Sequence, residues 1–349
     1  MRIILLFLTL LGAAIQALCC TSAVVAGSLT ESGHPMLWKN RDTSTIDNFV
    51  ARVEPSDSAF GYVALFNKGD IALKEAWIGM NDAGFAIMNT QSYNLAPYPA
   101  GAKDREGILM TEALKCCATV GDFERLLENS PGPLGVQANF GVIDAEGRGG
   151  YFETDEHGFR FYALSDSVPL LVRTNFSMSG GEGGLGLVRY DNAVELLKPY
   201  SNERKLTPEV FTEELSRSFY RADIGRDFAT GTVPDRVADV DFIPRYSTSA
   251  SVVITAGGPK DMVMWCALGY PPCARVYPAT LTDIPVELQI NPDTGYADAA
   301  READALKATV FSGRDGRGRH LILLPEVLEI SRRLKTENLA VYRQFSDNP

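Results

Sequence analysis

Histidine is nearly absent: 349 residues hold only His34, His157 and His320. None sits in a ligand pair such as H-E-x-x-H, so metal chemistry is not expected, and no cofactor is expected either. The sequence also lacks a G-x-S-x-G nucleophile turn, a phosphate loop ending in Gly-Lys-Ser/Thr and a G-x-G-x-x-G after a strand. Gly180-Gly181-Glu182-Gly183-Gly184-Leu185-Gly186 is glycine-rich but has no Lys-Ser/Thr ending, and reads as a mobile loop. Positive charge is in deficit. The 33 Lys and Arg against 44 Asp and Glu leave a net charge of −11, which argues against nucleic acid or an anionic membrane as the partner. Past residue 19 no apolar run approaches the ~20 residues of a spanning helix, so no membrane is expected for the mature form. No internal repeat or long linker is visible, and the sequence leaves a homo-oligomer open.

The one long apolar run lies at the start. Arg2 supplies a positive end, Ile3 to Ile15 an apolar core, and Ala17-Leu18-Cys19 a small-x-small end. Residues 1–19 therefore read as a secretory signal peptide, and the mature chain is expected to be exported, to a periplasm or outside the cell. Residues 20–349 read as one domain, with a helical C-terminal part from about 296 to 349.

Cutting after Cys19 would make Cys20 the first residue. A first-residue cysteine carries a thiol and a free α-amine on one carbon. That amine has an ordinary pKa of about 7.7–8.0, so nucleophile and base would occupy a single residue. Cys20 to Gly27 is small or β-branched and reads as a buried strand. A turn at 31–34 returns the chain through Pro35 to Lys39, which brings Trp38-Lys39-Asn40-Arg41-Asp42 back beside Cys20. Asp42 could hold the protonated amine, or be a strand-end acid facing water. Asn89 sits near the end of an apolar strand, where a polar amide is costly unless hydrogen-bonded. It reads as an oxyanion donor or as a satisfied structural amide.

Of the other cysteines, Cys116 and Cys117 read as structural. Cys266 and Cys273 bracket a short loop and could pair in an oxidising compartment. Asn175-Phe176-Ser177 fits a glycosylation sequon. Strands are expected at 61–67, 75–80, 85–90, 139–144, 150–154, 159–164, 170–174, 251–255 and 262–266. Helices are expected at 106–120, 122–127, 187–197 and 208–216, with more after 296 and a break at 312–318. This order suits stacked antiparallel sheets covered by helices.

Cys20-Thr21, Trp38 to Asp42, Gly79-Met80-Asn81 through Ile87-Met88-Asn89, and Arg173-Thr174-Asn175 together resemble the choloylglycine hydrolase and penicillin acyltransferase branch of the N-terminal nucleophile hydrolases. Within it they look closest to the C45-type acyltransferase/peptidase and linear-amide hydrolase proteins. The resemblance spans most of residues 20–280. It implies an α+β fold, a four-layer αββα sandwich of two stacked, mostly antiparallel sheets. It implies Cys20 as nucleophile with its own amine as base, and Asp42 orienting both. Asn89 and Asn175 would stabilise the oxyanion, and Arg245 would be the late arginine near the site. Bile-salt hydrolases carry arginine where this chain has Lys39, and lysine lacks the planar fork. The implied activity is cleavage of a linear amide through an acyl-thioester, with hydrolysis and acyl transfer both open. Bile-salt conjugates, N-acyl amino acids, acylated amines, β-lactams and small peptides all stay open as substrates. The rival readings are an exported lipoprotein acylated on Cys20, for which Ala17-Leu18-Cys19 is a poor signal, and a silent family member that binds a small molecule.

Overall fold

The structure is a computed structural model that describes residues 20–99, 101–130, 133–258 and 261–347. The expected signal segment 1–19 lies outside the described residues. The first half of the chain supplies β1 (Thr21–Val25), β2 (Met36–Asp42), β3 (Asn48–Val53), β4 (Tyr62–Asn67), β5 (Ile78–Asn81) and β6 (Ala86–Gln91). After helices α1 (Glu106–Cys116) and α2 (Val120–Asn129) come β7 (Ala138–Ile143), β8 (Gly149–Asp155), β9 (Gly158–Ala163) and β10 (Leu170–Arg173). Then follow α3 (Leu187–Glu203), β11 (Arg236–Ala238), β12 (Thr248–Thr255), β13 (Val263–Leu268) and β14 (Val276–Thr280). Helix α4 (Asp298–Val310), β15 (Phe311–Arg314), β16 (His320–Leu323) and α5 (Leu324–Asp347) complete it.

Two antiparallel sheets carry the fold. One has the order β10-β1-β2-β12-β13-β14, and the other runs β3 to β9 in sequence order. They stack face to face. Val24, Leu37, Val252, Ile254 and Met264 of the first share one core with Val63, Leu65, Ile87 and Phe140 of the second. The alternate residues of the first sheet, Ala23, Val25, Trp38, Val253 and Trp265, point the other way into a second core with Ala193, Leu197 and Phe211. Being buried on both faces explains why β1 is small or β-branched throughout rather than alternating apolar and polar, and why the polar end of β2 is buried too. Helices α1 and α2 cover the second sheet, while α3, α4 and α5 cover the first. The chain is thus α+β, with the layer order αββα.

Several expectations change. β3 was not legible, because Asn48-Phe49-Val50-Ala51-Arg52-Val53 mixes charge and amide into a short run. The helix expected at 208–216 is a π-helical turn, Val210–Leu215. The break expected at 312–318 falls on the end of β15 and the turn that leads to β16, a hairpin that joins β11 in a small third sheet. Cys266 and Cys273 are free thiols. Cys266 faces the core between the sheets while Cys273 belongs to a separate cluster with Phe219 and Phe242, so the two side chains leave the chain toward different cores. Asn175 is fully buried, so the sequon cannot be glycosylated in the folded protein.

Candidate active site

Strand pairing builds the site. β1 and β2 pair antiparallel with Ser22 opposite Lys39 and Thr21 opposite Asn40, so Cys20 emerges at the level of Arg41 and Asp42. Its Sγ lies 3.8 Å from the Asp42 backbone carbonyl. The twofold alternation of β2 then sorts its polar residues. Lys39 and Arg41 share the face of Leu37 and look toward the second sheet. Asn40 and Asp42 share the face of Trp38 and look toward the helical layer.

On the second-sheet side, Lys39 Nζ donates to the Trp77 carbonyl at 2.8 Å and to Asn89 Oδ1 at 2.5 Å. Asn89 Nδ2 in turn donates to Glu106 Oε2 at 2.5 Å, at the first residue of α1. Arg41 donates to Asn48 Oδ1 at 2.6 Å and Asn67 Oδ1 at 2.9 Å, and its guanidinium lies 4.8 Å from the Trp77 ring centre. Lys39, Arg41, Asn67, Trp77, Asn89 and Glu106 line a cavity of about 210 Å³ together with Cys20, Asp42, Gln91 and Asp104. Thr43, Ser44 and Thr45 close part of its wall.

On the other face the Asp42 carboxylate is fully buried and accepts from Thr248 Oγ1 at 2.6 Å, Arg245 Nε at 3.1 Å and Asn40 Nδ2 at 3.3 Å. Those donors favour its charged form, yet burial outweighs them and holds its pKa above the ordinary carboxylate value.

Burial raises the Cys20 thiol pKa, and Lys39 and Arg41 pull against it. Burial also lowers Lys39 to about 8 and Arg41 to about 10, and the Cys20 thiolate opposes each shift. A thiolate at Cys20 would offset part of that desolvation, beside Glu106 for Lys39 and Asp42 for Arg41. Glu106 is pushed well above the carboxylate range by burial and then by Asp104, with Lys39 and the Asn89 amide opposing.

No protein-family model matches the chain, and no curated protein matches it. Among solved structures it is similar to a Caenorhabditis elegans N-acylethanolamine-hydrolyzing acid amidase ortholog, with TM-score 0.47 and 17% identity over 69% of this chain and 94% of that one. A conjugated bile acid hydrolase from Clostridium perfringens gives 0.48 and 11% over 75% and 92%. Penicillin V acylase from Agrobacterium tumefaciens gives 0.47 and 16% over 76% and 87%.

Of the residues singled out from sequence, Cys20, Lys39, Asp42 and Asn89 line one cavity, and Arg245 reaches it through Asp42. Asn175 takes a different place. Its side chain donates to the Gln91 carbonyl at 2.8 Å and accepts from Arg189 Nη2 at 2.9 Å. Arg189 Nη1 also donates to the Cys20 carbonyl at 2.6 Å and Thr21 Oγ1 at 2.9 Å, which ties Asn175 to the start of β1. Asn139 holds the same loop by donating to the Thr174 and Phe176 carbonyls at 3.4 and 3.2 Å.

Sequence reasoning gave no role to Glu106, Arg189 or Arg41. Glu106 enters the sequence reading only as the start of a helix, and an acid in a first helical turn is ordinary. Arg189 carried a usable signal, since Arg189, Ala193 and Leu197 recur at the helical period on one buried stripe, where an arginine is out of place unless bonded.

Proposed function

We propose that this protein is an exported cysteine-nucleophile amidohydrolase, with acyl transfer as a second outcome of the same intermediate. The observation that carries this reading is the placement of the Cys20 thiol at the open end of β1, in a cavity that Lys39, Arg41 and Asn89 also line. Removal of residues 1–19 supplies the free α-amine.

The amine takes the thiol proton, and Sγ attacks the amide carbonyl. The carbonyl electron pair moves onto oxygen, near the Asn89 amide and the Lys39 ammonium. As that oxyanion collapses, the C–N bond breaks, and the ammonium of Cys20 gives its proton to the departing nitrogen. The acyl group is left as a thioester on Sγ. Water, deprotonated by the same amine, releases the acid, and an amine in place of water gives a new amide. Asp42, held by Arg245 and Thr248, favours the protonated amine during the lifetime of each tetrahedral intermediate. Asn175 acts by holding the backbone beside Cys20. Preorganised donors of this kind are each worth about 10²–10³ in rate.

The test is a panel of amides incubated with the processed protein and with Cys20→Ala. Release of amine by the first and none by the second supports the reading. Full activity in Cys20→Ala overturns it.

A further inference from the structure

The cavity that holds Cys20 is small and almost wholly polar. Pockets for small molecules usually enclose about 300–1,000 Å³ and are lined mostly by apolar side chains. This one encloses about 210 Å³, and among the described residues that line it only Trp77 brings a large apolar surface. Its other walls carry charges, amides, hydroxyls and the thiol itself. Even Trp77 adds a polar group, since its Nε1–H is buried with no acceptor among the described residues. Much of the wall is built on regular elements: Lys39 and Arg41 on β2, Asn89 and Gln91 on β6, and Glu106 on α1. A fatty or steroidal group in this space would cover Lys39, Arg41 and Glu106 and return no hydrogen bond to them.

One lining side chain is held ready for a polar ligand. Gln91 lies two residues beyond Asn89, so strand alternation puts both on the same face of β6. On that face Asn89 meets Lys39 across the sandwich. The Asn175 amide donates to the Gln91 carbonyl at 2.8 Å and fixes its backbone. The Tyr93 hydroxyl donates to Gln91 Oε1 at 3.0 Å and fixes its side chain. With Oε1 engaged, the N–H groups of Nε2 are the end of that amide left to a ligand. A donor held at both backbone and tip loses little freedom on binding, and a site built around such a hydrogen bond rejects analogues that cannot make it.

We propose that the Cys20 cavity takes a small, hydrophilic amide, and that Gln91 Nε2 donates to a hydroxyl or carbonyl oxygen next to the scissile bond. This rests on the amidohydrolase reading and narrows it: bile-salt conjugates and long-chain acyl amides are excluded as substrates. The recognised oxygen belongs either to the acyl half or to the amine half, and the test separates the two.

Two near-isosteric pairs of amides are assayed with the processed protein. N-methylglycolamide against N-methylpropanamide places the polar group on the acyl half, and N-acetylglycinamide against N-isobutylacetamide places it on the amine half. In at least one pair the polar member is expected to have a kcat/KM at least tenfold higher, and N-methyloctanamide should be slower than N-methylpropanamide. In Gln91→Met the ratio within that pair is expected to fall below about threefold. Equal or reversed rates in both pairs overturn the proposal without any variant, and so does faster cleavage of the octanamide. A folded Gln91→Met that keeps the full ratio overturns the role of Gln91. If no amide is cleaved, the amidohydrolase reading fails. The same pairs titrated by calorimetry into Cys20→Ala then decide the cavity, with tenfold tighter binding of a polar member supporting it and equal binding in both pairs overturning it.

Discussion

Arg245 donates from Nε to Asp42 Oδ2 at 3.1 Å, joining the approach to β12 to the end of β2 across 203 residues of chain. Asp42 has no exposed surface and Arg245 is about one-fifth exposed. Removing the guanidinium leaves a buried carboxylate with only neutral donors, Thr248 and Asn40. Arg245→Ala is therefore expected to lose roughly 2–3 kcal/mol of stability. Because Arg245 is a positioning residue, kcat should fall with little change in KM, and Arg245→Lys should recover part of it. Urea unfolding and steady-state kinetics check both halves. A variant as stable and as active as the parent would remove Arg245 from the account.

Asn89 bridges Lys39 and Glu106, so Glu106 is expected to act through Asn89. Asn89→Ala should cost about 10²–10³ in kcat. Glu106→Ala, which frees the amide to turn, should approach that loss. In a double-mutant cycle the combined variant should be no slower than Asn89→Ala alone. Additive losses would mean that Glu106 works independently of the amide.

Much of this arrangement was legible in the sequence. The Cys20 to Asp42 hairpin follows from a small, β-branched run, a turn and a returning strand, and antiparallel pairing then places the polar cluster beside the thiol. The helix at 106 and the strand that carries Asn89 were also readable. Their meeting was not. Glu106 and Asn89 belong to different layers, and nothing local says that the first acid of α1 turns inward instead of facing water. Arg245 was legible only by resemblance, since its partner lies across the sheet. The sequon at Asn175 is a weak signal in the sequence because a tripeptide pattern carries no burial. Whether Cys266 and Cys273 pair stayed open in the sequence, because closeness along the chain says nothing of which core each side chain enters.

Lys39 predicts a signature in stability. Burial brings its pKa from 10.5 to about 8, so between those values the unfolded chain holds a proton that the folded chain has released. Stability from this group therefore rises as pH goes from about 8 to about 10.5, by up to roughly 3 kcal/mol. Lys39→Met should abolish that rise. Urea midpoints for the two proteins at pH 7.5 and pH 10 are the measurement, and parallel curves would show that Lys39 is not held in a desolvated site.

The central claim is a thiol and a free amine on one residue, working through a thioester. It is tested most directly by intact-mass spectrometry of the exported protein, quenched in acid while it turns over an acyl p-nitroanilide. The expected spectrum shows a chain beginning at an unmodified Cys20, with a second species heavier by one acyl group bonded to that sulfur and absent from Cys20→Ala. A chain that begins elsewhere, an acylated or lipidated α-amine, or undiminished turnover by Cys20→Ala would contradict it.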